Sequence, residues 1–151
     1  MPYTTVEEQH RQTLERFVKE CVNPGNFATM AQIFAPEHVT HSPTGDLDRA
    51  GIVANLLAMR SAFPDFEMTI DHMLVEGDRV ATRRSIRGTF TRALHNPNGT
   101  IPPNGKPIEL HYINIFRFNE AGLVAEEWTI YDHLGFMRQL GVGPAGPGPA
   151  H

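Results

Sequence analysis

Six polar or amphipathic residues interrupt two otherwise apolar runs near the end of this chain: His111, Tyr112 and Asn114 in the first, Trp128, Tyr131 and Asp132 in the second. Polar groups inside greasy segments need partners or a purpose, so these are the first candidates for a site. Asp132 carries the most chemistry. A carboxyl lodged in an apolar cavity has its pKa raised, can hold a proton near neutral pH and can pass it to a carbonyl oxygen. The same aspartate precedes Leu134-Gly135-Phe136-Met137, where it would equally cap a helix. His111 facing a cavity could polarise a substrate oxygen or orient Asp132; at a sheet edge it would be half solvated and inert. His38 and His41 form an H-x-x-H, but residues three apart on a strand point to opposite faces, so the pair chelates only if the chain turns there. No metal site is expected. Ser42, Ser61 and Ser85 sit in no nucleophile elbow, and no glycine-rich phosphate loop is present.

The elements that must hold these residues follow from periodicity. Lys106–Phe118 and Leu123–Asp132 read as two long strands joined through Asn119-Glu120-Ala121-Gly122. Along the second, Val124, Glu126, Trp128, Ile130 and Asp132 share one face, and Ala125, Glu127, Thr129 and Tyr131 the other. Upstream, Thr5 with Glu8 forms a capping box before a helix whose apolar face carries Leu14, Phe17, Val18, Cys21 and Val22. Asn23-Pro24-Gly25 breaks it, and a short second helix over Phe27–Phe34 stops before Pro36. Glu37–Gly45 reads as a brief strand and a loop. A third helix starts from Asp46 or Asp48 and ends at Pro64. Two strands, Phe66–Val75 and Arg79–Phe90, then meet at Glu76-Gly77-Asp78; the second is polar at alternate positions and is expected to be half exposed. Residues 91–107 read as a long loop, Leu134–Leu140 as a closing helix, and 141–151, rich in Gly, Pro and Ala, as a flexible tail.

Helices first and mostly antiparallel strands after argue for one α+β domain over residues 1–140, with helices on one face of a curved sheet and a cavity between. The chain of 151 residues, 40% hydrophobic and 20% charged, is large enough for a single core. A net charge of −4 supplies no basic face for nucleic acid. No run is long enough to span a bilayer, and the polar N-terminus with the single Cys21 fits a reducing cytoplasm. Both faces of the late strands are apolar, so the sheet needs two covers: helices on one side and, we expect, a second subunit on the other, giving a homodimer through the sheet. Phe63, with Met59, Met68 and Phe136, could line a pocket for a flat hydrophobic molecule or simply fill the core.

Several segments together resemble one family. Ala62-Phe63-Pro64-Asp65-Phe66, Val75-Glu76-Gly77-Asp78-Arg79-Val80-Ala81, Ile101–Ile108, Ile113-Asn114-Ile115-Phe116-Arg117-Phe118, Glu127–Asp132 and Arg138-Gln139-Leu140-Gly141 resemble the SnoaL-like polyketide cyclase or ester cyclase family. The resemblance implies the nuclear-transport-factor-two-like cone, a fold shared with ketosteroid isomerase and limonene epoxide hydrolase. It also implies cofactor-independent cyclisation or isomerisation of a hydrophobic carbonyl compound, with Asp132 as acid–base group, assisted by His111 and by His41 at the cavity mouth. Trp128, Tyr112, Asn114, Phe63, Tyr131 and His38 would then contact the substrate. Alternatives on the same scaffold are hydrolysis of an epoxide or ester, and binding of a small hydrophobic ligand without turnover.

Overall fold

The computed structural model describes residues 2–142; the tail expected from 141 onward lies outside them beyond Val142. Three helices, α1 (Thr5–Arg16), α2 (Arg49–Ala62) and α3 (His133–Gln139), accompany eight strands: β1 (Phe34–Ser42), β2 (Gly45–Asp48), β3 (Glu67–Glu76), β4 (Arg79–Thr89), β5 (Leu94–Asn96), β6 (Gly99–Ile101), β7 (Pro107–Phe118) and β8 (Val124–Tyr131). Six strands form one curved sheet in the order β2-β1-β8-β7-β4-β3, antiparallel except for the β1/β8 pair. The α+β architecture matches the expectation from element order.

Helix α1 begins one residue earlier than its sequence suggests. Thr4 accepts from the Glu7 amide at 3.1 Å while Glu7 Oε1 accepts from the Thr4 amide at 2.9 Å. Thr5 and Glu8 fit the same pattern, but the Glu8 carboxylate is taken by Arg11 at 2.6 Å, whereas Glu7 Oε2 also accepts from the Gly77 amide at 2.8 Å and ties the helix to the β3–β4 turn. The helix then widens into a π-turn over Phe17–Val22, burying Phe17, Val18, Cys21 and Val22. A 3-10 turn over Phe27–Gln32 follows.

Two expectations are corrected here. The brief strand before Ser42 is nine residues long, because β1 is paired on both flanks, parallel to β8 and antiparallel to β2; pairing with the distant β8 on one side and the adjacent β2 on the other overrides its turn-rich composition. The long loop contains a hairpin, β5–β6, closed at Asn98-Gly99 where Asn96 Oδ1 accepts from the Asn98 amide at 2.9 Å and Gly99 takes φ +138°. Leu94 of β5 is buried and packs the hairpin toward α2. As the sequence implied, Asp48 caps α2 through the Gly51 amide at 2.7 Å.

The core lies between the helices and the concave face of the sheet, where Leu14, Phe17, Met30, Phe34, Met59, Phe63, Ile86, Phe116 and Phe118 are buried together. Among the described residues no helix is long and apolar enough to cross a membrane.

Candidate active site

Strand alternation sends Thr40 of β1, Arg84 of β4, Tyr112 and Asn114 of β7, and Glu127, Thr129 and Tyr131 of β8 to the concave face. Register brings them side by side: Thr40 pairs with Glu127, Asn114 with Thr129, Arg84 with Tyr112, and Tyr112 with Tyr131. All but Asn114 line a cavity of about 110 Å³ whose other walls include Phe17, Leu56, Met59, Met68, Ile86 and Phe136. This is a largely oily hollow whose buried polar groups sit on the sheet wall, with the exposed Thr44 and Asn55 also lining it, the usual form of a small-molecule site.

Glu127 is the centre of that wall. Its side chain is 6% exposed, and its Oε2 lies 3.3 Å from Arg84 Nη2 and accepts from Asn114 Nδ2 at 2.8 Å. Among the described residues, Oε1 accepts only from the Thr40 hydroxyl, at 3.0 Å. Asn114 is held by the rest of its amide: Nδ2 also donates to Thr129 Oγ1 at 2.6 Å, and Oδ1 accepts from Arg84 Nε at 3.0 Å. Arg84 carries its charge inside a ring of aromatics, with Cζ 5.5 Å from the centre of Phe116, 5.7 Å from Tyr112 and 5.8 Å from Phe17. Such cation–π contacts replace part of the hydration lost on burial.

Burial pushes the Glu127 carboxyl above its ordinary value, against the pull of Arg84 and of the hydrogen bonds from Thr40 and Asn114. Burial likewise raises both Tyr112 and Tyr131, so each phenol keeps its proton and can donate it. The two rings are 4.9 Å apart, and the Tyr131 hydroxyl is 3.3 Å from His133 Nδ1. His38 sits behind the wall, with Nε2 2.9 Å from Thr40 Oγ1; burial, then the nearby Arg49 cation, lower it to about 4, which leaves it neutral.

The residues singled out from sequence divide into two groups. Tyr112, Asn114, Tyr131 and His38 all lie in or directly behind the polar wall. Asp132 does not: β8 ends at Tyr131, and the aspartate is exposed, with Oδ1 accepting from the Gly135 amide at 2.8 Å as the N-cap of α3. His111 is on the convex face, where Nδ1 meets Ser85 Oγ at 2.9 Å and Nε2 is 3.4 Å from Glu109. On β1, His38 points inward and His41 outward, as a three-residue step requires. His41 is gripped by Asp46 Oδ1 at 2.9 Å and Glu126 Oε2 at 2.7 Å, beside Trp128, which is also on the convex face. Phe63 is fully buried against Phe90, away from the cavity. Sequence reasoning passed over Glu127 and Arg84. The signal for Glu127 is its place on the Thr129/Tyr131 face; the alternating polarity of its strand predicts half exposure for Arg84, which is buried. No cluster of three or more His, Cys, Asp or Glu side chains among the described residues is placed to hold a metal.

Helices closing the concave face of a six-stranded sheet over one lined hollow define a nuclear-transport-factor-two-like cone. Residues 12–140 match the model of the SnoaL-like polyketide cyclase family, and the chain belongs to that family. It is similar to IdmH from Streptomyces antibioticus, a proposed polyketide cyclase, at 30% identity and a TM-score of 0.71 over 89% of this chain and 99% of that one. TsrD from Streptomyces laurentii is 26% identical, with a TM-score of 0.76 over 93% of this chain and 98% of its own. A SnoaL-like protein from Jannaschia Sp. CCS1 superposes with a TM-score of 0.80 over 95% of this chain and 99% of its own; at 19% identity it speaks for the fold alone. No curated protein matches this chain.

Proposed function

We propose that this protein is an acid–base enzyme that cyclises or isomerises a small hydrophobic carbonyl compound, with Glu127 as the proton-transferring group. The observation that carries the reading is the buried Glu127 carboxyl on the polar wall of a cavity whose other walls are largely apolar, its proton affinity raised by that burial. Membership of the cyclase family supports the reaction class.

The steps follow from the donors. Oε2 is occupied by Arg84 and Asn114, while Oε1, which among the described residues accepts only from Thr40, has a lone pair for an incoming proton. The carboxylate takes a proton from the carbon beside a carbonyl; the C–H electrons move to form the enolate, and the oxygen gains charge. Tyr112, whose hydroxyl makes no hydrogen bond to another described residue, donates to that oxygen. In cyclisation the enolate carbon attacks a second carbonyl and Glu127 returns the proton to the new alkoxide; in isomerisation it returns it to carbon. Arg84 keeps the local charge balanced throughout, and the dry walls hold the chain folded for attack.

A second reading is favoured by the number of polar groups around the carboxyl. Arg84, Thr40 and Thr129 could orient a water for attack on an epoxide or ester, with Glu127 as base. One experiment separates the readings: hydrophobic mono- and diketones, epoxides and esters are incubated in D2O and analysed by mass spectrometry. Deuterium beside the carbonyl, or ring closure, both lost in Glu127→Gln, supports the proposal. A gain of one water supports hydrolysis. Thermal stabilisation by a compound recovered unaltered supports binding alone.

We also infer a homodimer. Leu74 of β3, Ile113 and Ile115 of β7, and Trp128 and Ile130 of β8 are exposed on the convex face, and a second copy of the same face is the self-complementary cover for them.

A further inference from the structure

His38 is a buried titratable group that touches the polar wall and for which the chemistry above has no use. It is 1% exposed, packed edge-on against Phe34 at 4.5 Å, and its Nδ1 has no hydrogen-bond partner among the described residues. Its Nε2 reaches Thr40 Oγ1 at 2.9 Å, and the same oxygen is 3.0 Å from Glu127 Oε1. Three groups are thus joined through one hydroxyl that owns a single proton.

With the acidic proton, when present, on the Thr40 side of the carboxyl, proton counting gives two arrangements. When Glu127 is ionised, Oε1 can only accept, so Thr40 gives it its proton; the hydroxyl has nothing left for His38 and must accept from it, which requires hydrogen on Nε2 and leaves Nδ1 bare. When Glu127 is protonated on Oε1, the oxygen not held by Arg84 and Asn114, that proton can point at Thr40. The hydroxyl then donates to His38 Nε2, and the imidazole hydrogen must sit on Nδ1. With the acidic proton on the Thr40 side of Oε1, any mixture of the two leaves two donors or two acceptors facing each other along this chain of contacts.

We propose that His38 is a positioning residue whose tautomer is locked to the charge of Glu127 through Thr40, so that the Nε2–H form holds the carboxylate ready to take a proton. Its catalytic meaning rests on the reading of Glu127 as the acid–base group; the linkage itself does not. The unpartnered Nδ1 is what allows the imidazole to carry its hydrogen on either nitrogen, since no fixed partner at that end selects one form. Other charges bear on the pair: Glu127 is faced by Arg84, with Tyr112 nearby, and His38 by Arg49, Asp48 and His41. With burial and Arg49 keeping the ring neutral, the exchange is between tautomers and not between charge states.

The test reads tautomers directly and needs no substrate. Protein with 15N-labelled histidine and 13C-labelled glutamate carboxyls is titrated by NMR, with His38 assigned by its loss in His38→Asn. Above the Glu127 titration, His38 carries hydrogen on Nε2; as Glu127 takes up its proton, the hydrogen appears on Nδ1. Glu127→Gln mimics the protonated acid, because its amide group must turn away from the donors of Arg84 and Asn114 and toward Thr40; in it His38 carries hydrogen on Nδ1 at every pH where it is neutral. Thr40→Val breaks the correlation and Thr40→Ser restores it. One unchanging tautomer in the parent protein across the Glu127 titration overturns the proposal, whatever the variants do. The two claims fail separately: deuterium exchange surviving in Glu127→Gln would remove Glu127 from the chemistry without touching the linkage, and a fixed tautomer would end the linkage without touching Glu127.

Discussion

Arg84 Nη2 lies 3.3 Å from Glu127 Oε2, and neither side chain is more than 7% exposed. Removing one member of such a pair strands the other's charge, at a cost of about 3–5 kcal/mol. Arg84→Met is therefore expected to lower the urea midpoint sharply, and Arg84→Met with Glu127→Met to recover most of the loss, because an apolar pair of similar volume needs no solvation. A single variant as stable as the parent would mean that the two charges are not buried together.

The raised Glu127 carboxyl has a signature in stability against pH. A group that binds its proton more tightly folded than unfolded stabilises the fold fully below its unfolded value, here near 4.5, and loses that contribution as pH rises through the folded value. Glu7, Glu8, Asp65, Asp71 and Glu126 are shifted the other way by their hydrogen bonds, so their contribution is present above the ordinary carboxylate range and fades below it. Chemical denaturation across pH is expected to show Glu127→Gln flattening the decline above the carboxylate range and leaving the acid limb in place.

His41, held first by Glu126 and then by Asp46, is raised in the folded state, so its contribution is present below its ordinary value and lost as pH rises through the folded one. In a histidine NMR titration, Glu126→Gln is expected to move the His41 midpoint down and leave the Glu127 titration where it was, because the two glutamates face opposite sides of β8. A His41 midpoint unmoved by that change would contradict the clamp.

Asp132 caps α3, and caps of this kind contribute about 0.5–2 kcal/mol. Asp132→Ala is expected to lose stability in that range, and Asp132→Asn, a good cap itself, to lose little.

If the convex face pairs two copies, Ile113→Lys together with Ile130→Glu should shift the sedimentation coefficient from dimer to monomer. A parent protein that sediments as a monomer at high concentration would remove the dimer.

Most of the fold was legible because local signals agree with it: Asp48 before α2, Gly77 in the β3–β4 turn, and period-two alternation along β7 and β8. The length of β1 was not, since its parallel partner β8 lies more than eighty residues away. The site was legible in part. Tyr112, Asn114 and Tyr131 stand out as polar residues in apolar strands, and strand parity sends them inward. Which face of the last strand is concave, however, depends on the side the helices cover, and parity alone cannot choose between the Glu127 set and the Trp128 set. Asp132 is in register with Trp128 on paper, but the strand ends one residue before it and the cap takes over. Arg84 was hidden among three other arginines of β4 that do face solvent.

The most direct measurement compares Glu127→Gln with Asp132→Asn in one assay of deuterium incorporation beside the carbonyl of a ketone that the parent protein exchanges. Loss of general acid–base catalysis is typically worth about 10²–10⁴-fold. That loss is expected in Glu127→Gln, with its fold intact by circular dichroism, and near-parental exchange in Asp132→Asn. Parental exchange in Glu127→Gln, or loss confined to Asp132→Asn, would contradict the account.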